Sequence, residues 1–423
     1  MKLPVYMDYN ATTPVDPRVA EAMIPYFCEI FGNASSSNHK FGWEAEEAVS
    51  KARRQVAELI GARASEIIFT SGSTESNNIS IKGVAEVYSE KGNHIITCTT
   101  EHKAILETCE YLEKYGFKVT YLNTDETGII NINELKDAFT DKTILVSLMA
   151  GNNEIGTLQP IEEIGKLCKE KGVIFHSDAT QSVGKIPLNV DKTGIDLMSI
   201  SAHKFYGPKG VGALYVRSKN PRVKVTKQTH GGSQEKGMRS GTLNVPGIVG
   251  LGMACEICTM EIESEMKRQI KFRDKMINEF LKLENVHLNG HRTNRLPNNV
   301  NLSFAYTDGD SIIAGMKDIA VSTGSACTSA SVSPSHVLTA IGRKDEPRTI
   351  TAVYEVCRRA ADCFPGQLAV GVDVMVDPAG RPYVLECNAW GDYLPRLLSD
   401  GRDSYQSQVH ALFGAVAEGV RCR

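Results

Sequence analysis

Short apolar runs alternate with helix-length amphipathic segments along the chain from Glu66 onward. This alternation is typical of an α/β fold, in which helices pack on both faces of a mainly parallel sheet. In such sheets, ligands bind beyond the carboxyl ends of the strands. We therefore expect the chemistry in the loops after the predicted strands, which are 67–70, 94–99, 118–122, 144–149, 173–176, 197–200 and 211–216.

The composition is that of an ordinary globular protein. The chain has 423 residues, of which 42% are hydrophobic and 23% charged, and this length suffices for two or three domains. A net charge of -3 gives no electrostatic reason to expect nucleic acid or an anionic membrane as partner. No apolar run approaches the length of a membrane span, and the N-terminus lacks a secretory signal. We interpret the chain as cytoplasmic.

The eleven cysteines lack the even, close spacing of a disulfide framework, which fits a reducing compartment. Cys255 and Cys258 form a Cys-x-x-Cys pair inside a helical pattern. No second pair completes a zinc site, so we interpret both as structural cysteines.

Lys204 lies in a glycine-rich segment between the last two predicted strands. A lysine at a strand end can be desolvated, which lowers its pKa and frees the amine to form a Schiff base with an aldehyde. The alternative is a surface lysine in a loop. The residues that follow the other predicted strands decide between these interpretations.

Each of those strand ends carries a polar group. Small hydroxyl residues and Gly72 precede a helix that we expect to begin near Glu75, and such a helix N-terminus favours a phosphate. His102 follows the second predicted strand, although a loop histidine is more often a surface residue. Asp178 follows the fifth strand, and a buried carboxylate there needs a cationic or protonated partner such as a pyridinium nitrogen.

Together these residues predict pyridoxal 5'-phosphate as the cofactor. Enzymes that use it need a Schiff-base lysine, a carboxylate on the ring nitrogen, a phosphate cradle and a group stacked on the ring. Lys204, Asp178, the loop of residues 72–74 and His102 supply these four parts, each beyond a strand end. The conjunction is far more specific than any one of its members.

The motifs around these residues resemble those of the cysteine desulfurases of the NifS/IscS kind. The resemblance covers residues 1 to about 345 and rests on Tyr6-Met7-Asp8-Tyr9-Asn10-Ala11-Thr12-Thr13-Pro14, Ser71-Gly72-Ser73-Thr74-Glu75-Ser76, Glu101-His102-Lys103, Asn152-Asn153-Glu154-Ile155-Gly156, Asp178-Ala179-Thr180-Gln181, His203-Lys204, Arg239-Ser240-Gly241-Thr242-Leu243 and Gly324-Ser325-Ala326-Cys327-Thr328-Ser329.

The resemblance implies a type I pyridoxal phosphate-dependent transferase fold in a homodimer that takes sulfur from L-cysteine and releases L-alanine. Its large domain would span residues 16–250, and a smaller α+β domain would combine residues 1–15 with 254–345. Sulfur would leave as a persulfide, typically for a scaffold protein of iron-sulfur cluster assembly.

The resemblance also implies roles for individual residues. Lys204 would hold the cofactor and move protons, Asp178 and Gln181 would bind the ring, and His102 would stack over it as an acid-base group with Asn153 nearby. The phosphate would be held by Ser73, Thr74, Ser201 and His203, with Thr242 reaching in from the neighbouring subunit.

Cys327 lies in a long run of small residues, 321–334, that has no periodicity and predicts a mobile, exposed loop. The resemblance implies that Cys327 attacks the substrate sulfur and carries the persulfide to an acceptor. A structural thiol is the alternative, but its large apolar neighbours are missing here. The length of the run resembles the NifS/IscS branch of the family.

The family pattern stops after Arg343. Cysteine desulfurases of this kind continue with a segment whose arginine clamps the substrate carboxylate, and this chain has no such segment. Arg348, Arg358 and Arg359 stand in unrelated contexts and receive no role. Lysine is absent after Lys344 and isoleucine after residue 350, so we predict a junction near Glu346 and a segment of different origin over 347–423.

That segment predicts a β-hairpin with strands 368–376 and 381–388. If Asp377 pairs with Gly380, Asp373 faces Val384, and Asp373, Glu386 and Asn388 share one face of the hairpin. Three oxygen ligands suit magnesium. The segment resembles the metal-binding end of an ATP-grasp ligase but covers less than half of such a domain, and an ordinary hairpin is the alternative.

Three hypotheses follow. The first is a pyridoxal phosphate-dependent cysteine desulfurase. The second is a dimer that binds the cofactor but desulfurates poorly, because the arginine that holds the substrate carboxylate is missing. The third, an ATP-grasp type ligase, rests on three residues of the hairpin.

Overall fold

The computed structural model describes residues 4–305, 309–316, 318–323, 335–343, 370–376, 382–389, 398–399 and 402–403. The chain divides into two compact units, Met1–Arg343 and Lys344–Arg423. The predicted junction near Glu346 lies outside the described residues, and so do Cys327 and residues 324–334 of its run.

The first unit alternates strands and helices, as the apolar pattern predicts. Its strands are β1 (Val5–Tyr6), β2 (Ile67–Thr70), β3 (His94–Cys98), β4 (Lys118–Leu122), β5 (Thr143–Ser147), β6 (Ile174–Asp178), β7 (Leu197–Ser201), β8 (Gly212–Val216), β9 (Val286–Leu288), β10 (Leu302–Phe304) and β11 (Ile319–Ala320). Its helices are α1 (Pro17–Met23), α2 (Pro25–Cys28), α3 (Lys40–Ile60), α4 (Ser73–Tyr88), α5 (Lys103–Glu113), α6 (Ile132–Ala138), α7 (Ile161–Lys171), α8 (Val190–Thr193), α9 (Val245–Phe280), α10 (Gly309–Gly315) and α11 (His336–Ala340).

Seven of these strands form the central sheet in the order β2-β8-β7-β6-β5-β3-β4. β8 runs antiparallel to both of its neighbours, β2 and β7, and the other pairs are parallel. The predicted fold class, a mainly parallel sheet flanked by helices, is confirmed. All seven predicted strands are present, and their ends agree with the prediction to within two residues.

Both faces of the sheet are buried, because successive strand residues point to opposite sides. Ile68 and Ile95 contribute to one apolar cluster, which includes residues of α4 and α5. Phe69 and Ile96 contribute to the other, which includes residues of α3, α7 and α9. The resulting order of helices, sheet and helices leaves only the strand ends open to a ligand.

The long helix α9 begins at the cap residue Asn244 and packs against α1 and α3. One 18-residue window of it is apolar and long enough to cross a membrane, so the prediction that no run approaches that length is wrong. More than half of this window, 56%, is buried inside the protein, where the apolar residues contribute to the core.

Two short sheets lie outside the central one. β1 pairs in parallel with β11, and β9 pairs antiparallel with β10. Both belong to the same compact unit as the central sheet. The division of this unit into a large domain, 16–250, and a small domain, 1–15 with 254–345, stays a prediction.

The second unit contains the predicted hairpin strands, β12 (Val370–Val376) and β13 (Pro382–Ala389), and the short pair β14 (Leu398–Ser399) and β15 (Arg402–Asp403). β12 and β13 pair antiparallel. Asp373 is opposite Glu386 and not Val384, so that prediction is wrong. The register shifts between Asp373 and Val374, an irregularity that moves the pairing by one residue on one strand.

Candidate cofactor site

Lys204 lies at the carboxyl end of β7, as predicted, in the short 3-10 turn Ala202–Lys204. Its side chain is half-buried, and its Nζ donates hydrogen bonds to the carbonyl oxygens of Asn10, at 2.5 Å, and Ala11, at 2.8 Å. The lysine is therefore held in the fold at a strand end, and the interpretation as a surface lysine is wrong.

Residues 10–13, which we call the N-terminal clasp, hold the turn that carries Lys204. Thr12 Oγ1 lies 3.0 Å from His203 Nδ1, and the Thr13 N–H donates to the carbonyl oxygen of His203 at 2.9 Å. The backbone N–H of Tyr206 donates to Thr13 Oγ1 at 2.8 Å. These contacts could not be predicted from the sequence, because the clasp carries no side chain that indicates which distant loop it binds.

Asp178 ends β6 and is 5% exposed. Asn77 Nδ2 donates to its Oδ2 at 2.8 Å, while the hydroxyl and the backbone N–H of Thr180 donate to its Oδ1. Among the described residues, no lysine or arginine forms a salt bridge with this carboxylate. A buried carboxylate with only neutral donors favours a cationic ligand, and a pyridinium nitrogen fits that requirement.

The predicted phosphate loop lies between β2 and α4. The helix begins at Ser73, two residues earlier than predicted, so Ser73 and Thr74 lie in its first turn, where backbone N–H groups have no helical partner. Ser73 Oγ lies 2.5 Å from Thr180 Oγ1, and the Ser73 hydroxyl is the donor because Thr180 gives its only hydroxyl proton to Asp178, so this contact connects the loop to the Asp178 loop. A Cβ on Gly72 would lie 3.6 Å from Ser201 Oγ, so Ser201 borders the same loop.

Gly212 of β8 makes this arrangement possible. A Cβ added there would lie 2.7 Å from the Cα of Gly72 and would also clash with the carbonyl oxygen of Ile200. The backbone of β8 therefore approaches the phosphate loop more closely than a larger residue allows.

His102 is the N-cap of α5, and its Nδ1 accepts the backbone N–H of Ala104 at 3.1 Å. A ring nitrogen that accepts carries no proton, so the neutral imidazole has its proton on Nε2. Burial lowers the pKa of His102, which favours this neutral form. The ring is thus set to donate or return a proton at Nε2.

His203 is also kept neutral. Burial, together with the charge of the adjacent Lys204, lowers the pKa of His203 to about 4. Its contribution to a phosphate would therefore be an imidazole hydrogen bond and not a full positive charge.

Asn153 and Gln181 complete the set of predicted site residues near these strand ends. Asn153 follows β5 and is half-buried, and its Oδ1 is buried with no hydrogen-bond partner among the described residues. Such an acceptor is of the kind that a ligand satisfies. Gln181 is 3% exposed, and its Nε2 donates to the Asn10 carbonyl oxygen at 2.9 Å, the same oxygen that Lys204 contacts.

Other predicted site residues are not brought together with this cluster. Thr242 is exposed, and no hydrogen bond in the described chain connects it to the cluster. Cys327 lies outside the described residues. In the second unit the register places Asp373 opposite Glu386 and Asn388 opposite Gly371, and the structure describes only their backbone.

Two further contacts, which the sequence did not predict, lie directly after the run that contains Cys327. Ser335 Oγ donates to the carboxylate of Glu154, and His336 Nε2 lies 2.9 Å from the carbonyl oxygen of Glu101. Burial raises the pKa of Glu154 to about 7. These contacts fix the start of α11 next to the His102 and Asn153 loops.

Known proteins are similar to this chain in both sequence and fold. The Aminotransferase class-V family matches residues 5–353. The cysteine desulfurase IscS of Rickettsia massiliae is 58% identical over 347 residues, which cover 82% of this chain and 84% of that protein. The IscS of Rickettsia bellii is 57% identical over 345 residues, covering 81% of this chain and 84% of that protein.

Two solved structures are similar over a comparable length. A NifS-like protein superimposes with a TM-score of 0.74 at 42% identity, covering 81% of this chain and 90% of that one. SspA in complex with cysteine has a TM-score of 0.71 at 41% identity, covering 80% and 94% of the two chains. The ATP-grasp resemblance of the second unit finds no support among these relatives. By sequence and by fold, the chain belongs to the aminotransferase class-V family, among its IscS and NifS-like cysteine desulfurases.

Proposed function

We propose that this protein is a pyridoxal phosphate-dependent cysteine desulfurase, which converts L-cysteine to L-alanine and keeps the sulfur as a persulfide on Cys327. The observation that carries the proposal is a shared contact: Lys204 and Gln181 donate to one carbonyl oxygen, beyond the strand end where the partners of Asp178 among the described residues are neutral. The IscS relatives support the same activity.

The residues around the site fit the cofactor. When bound, pyridoxal phosphate supplies an aldehyde carbon for attachment to a lysine and a ring that withdraws electrons from the substrate. Lys204 holds it and moves protons, and Asp178 balances the positive charge of the ring nitrogen. His102 covers the ring with its proton on Nε2, next to Asn153. The phosphate is held by Ser73, Thr74, Ser201 and His203.

Sulfur transfer needs Cys327. The thiolate of Cys327 forms a new S–S bond with the substrate sulfur while the carbon–sulfur bond of L-cysteine breaks. The bonding electron pair stays with the β-carbon, which takes up a proton, so the products are L-alanine and a cysteine persulfide. The persulfide then passes to an acceptor, which we propose is an iron-sulfur scaffold protein. The similar SspA structure is a complex with cysteine, and this supports the choice of substrate.

We further propose a cytoplasmic homodimer in which Thr242 completes the phosphate site of the neighbouring subunit. Two features support this role. Thr242 is exposed on its own subunit, and it lies in the Arg239-Ser240-Gly241-Thr242-Leu243 motif of the resemblance.

The chain has no counterpart of the segment whose arginine clamps the substrate carboxylate. This favours the alternative, a protein that binds the cofactor but desulfurates slowly. The test is alanine release from L-cysteine by the protein loaded with pyridoxal phosphate, with Cys327→Ala and Lys204→Ala as controls. We expect the wild type alone to release alanine, and we expect Lys204→Ala also to lose the covalent attachment of the cofactor.

Normal cofactor attachment without any alanine would leave the cofactor-binding proposal intact and reject desulfuration. Alanine release by Cys327→Ala at the wild-type rate would reject the role of Cys327 as the sulfur acceptor. If pyridoxal phosphate does not attach to the wild type, the proposal that it is the cofactor is rejected.

An ATP-grasp type activity is a separate proposal for the second unit, and the position of Asp373 opposite Glu386 is the observation that favours it. If these residues and Asn388 bind magnesium, titration calorimetry of the full chain with magnesium chloride will give heat that disappears in Glu386→Gln. Equal heats for the two proteins would reject the site.

A further inference from the structure

Lys185 is a buried lysine that the proposed chemistry does not yet use. It lies four residues after Gln181, is 8% exposed, and donates a hydrogen bond from Nζ to Gln181 Oε1 at 2.8 Å. Among the described residues no carboxylate pairs with it. Burial lowers the pKa of Lys185 to about 7, and the nearby Lys204 contributes to the lowering while Cys258 opposes it. A fold does not gain stability from a cation placed in this way.

The two ends of the Gln181 amide have partners of opposite kind. Its Oε1 faces the donor Lys185, and its Nε2 faces the carbonyl oxygen of Asn10 at 2.9 Å, which can only accept. A flipped amide would lose both hydrogen bonds. The side chain is therefore fixed with its N–H groups toward the carbonyl that also accepts from Lys204.

We propose that Lys185 is a positioning residue for the cofactor: it holds the Gln181 amide so that its N–H groups, and not its oxygen, face the ring. This inference rests on the proposed function. In pyridoxal phosphate the ring hydroxyl lies on the carbon next to the one that carries the aldehyde. A donor beside Lys204 is therefore close to that ring oxygen once the aldehyde carbon is attached to the lysine.

Below a pH of about 7, where Lys185 is mainly protonated, its positive charge adds to this effect. A cation on the amide oxygen polarises the amide and makes its N–H groups stronger donors, and hydrogen bonds to the ionised form of a group favour that form. Lys185 therefore favours the ionised ring oxygen through Gln181. Its removal should make the bound cofactor hold its proton to a higher pH.

The test is Lys185→Met, compared with the wild type and with Lys192→Met, which removes an exposed lysine from α8. The readout is the absorption band of the bound cofactor during a pH titration, together with the dissociation constant of pyridoxal phosphate. For Lys185→Met we expect the spectral midpoint to rise by about one pH unit and the dissociation constant to rise about tenfold. The melting temperature should change little, because removal of a buried cation offsets the loss of the hydrogen bond to Gln181 Oε1.

A purely structural lysine would give a lower melting temperature with an unchanged spectral midpoint, and that result would overturn the inference. Two further variants keep the test sharp. In Gln181→Ala, adding Lys185→Met should change the midpoint no further, because the two residues act as one unit. Gln181→Glu keeps a partner for Lys185 but has no N–H, so a wild-type midpoint in that variant would also reject the inference.

The outcomes separate this inference from the proposed function. If the wild type acquires no absorption band that depends on Lys204, the proposed function fails. If the wild type acquires the band and Lys185→Met titrates like the wild type, only the role of Lys185 is rejected.

Discussion

Two buried aspartates, Asp178 at the end of β6 and Asp196 just before β7, lie at opposite strand ends of the central sheet, which we call its two edges, and have very different surroundings. Asp196 immediately precedes β7, accepts the Phe175 N–H at 3.1 Å and forms a salt bridge with Arg217 at 3.0 Å. Burial outweighs Arg217 and raises the pKa of Asp196 to about 6. Asp178, at the carboxyl end of β6, has hydrogen bonds from Asn77 and Thr180 but no arginine or lysine in a salt bridge within the described chain.

These surroundings distinguish the carboxylate that stabilises the fold from the carboxylate that can bind a ligand. Asp196 has its cation built in, and Arg217 also donates to the carbonyl oxygens of Val190 and Ile195, so this edge is complete without any ligand. Asp178 has no such cation among the described residues, so a ligand must supply the positive group that balances its charge. The same residue type, equally buried, thus separates a structural edge of the sheet from a binding edge.

The largest expected effect is that of Asp178→Asn. A neutral amide cannot balance a positive charge on the cofactor ring, so alanine release should fall about a thousandfold, or about 4 kcal/mol of transition-state stabilisation. The cofactor-free protein should lose about 1 kcal/mol of unfolding free energy or less, because no salt bridge is broken. Steady-state kinetics and urea unfolding measure the two effects. A large loss of stability with normal kinetics would reverse our assignment of this edge.

Arg217→Leu tests the opposite edge. This change leaves the Asp196 carboxylate buried without its cation, so the free energy of unfolding should fall by about 3 kcal/mol. The rate of alanine release should stay near the wild-type rate below the melting temperature, because the residue lies away from the binding edge. In an Asp196→Asn background, Arg217→Leu should lower the free energy of unfolding by less, since no buried carboxylate is left unpaired.

The smallest expected effect concerns pH. The folded pKa of Asp196, about 6, lies above the usual value near 3.9, so its stabilising contribution is complete below pH about 4 and is lost as the pH rises to about 6. Asp196→Asn removes this dependence, and its stability relative to the wild type should rise by on the order of 1–2 kcal/mol across that range. Urea unfolding of both proteins at several pH values measures the difference. A relative stability that falls across the range would contradict the sign.

The sequence predicted the parts of the site that local pattern determines. An apolar run with a polar residue directly after it marks both a buried strand and its open end, which is why Lys204 and Asp178 were placed correctly. The direction of β8 is not visible in its apolar run, because antiparallel and parallel buried strands have the same composition. The register shift after Asp373 in β12 likewise has no residue that signals it.

Contacts between distant segments were the second class of miss. Asn77 looks like an ordinary polar residue in a helix, and only the packing of α4 against the sheet shows that its amide faces Asp178. Lys185 looks like a surface lysine until its burial is known. The roles of Cys327 and Thr242 came from resemblance to relatives and stay predictions, as do the magnesium ligands proposed in the second unit.

The N-terminal clasp also delays one step of folding during synthesis. Lys204 follows its partner Asn10 by 194 positions, so a ribosome adding about 5–20 residues per second needs roughly ten to forty seconds to supply the second half of this contact. During that interval the clasp has been synthesised, but the turn that it contacts has not. Attachment of the cofactor to a nascent chain would therefore report the moment at which these two distant segments first meet.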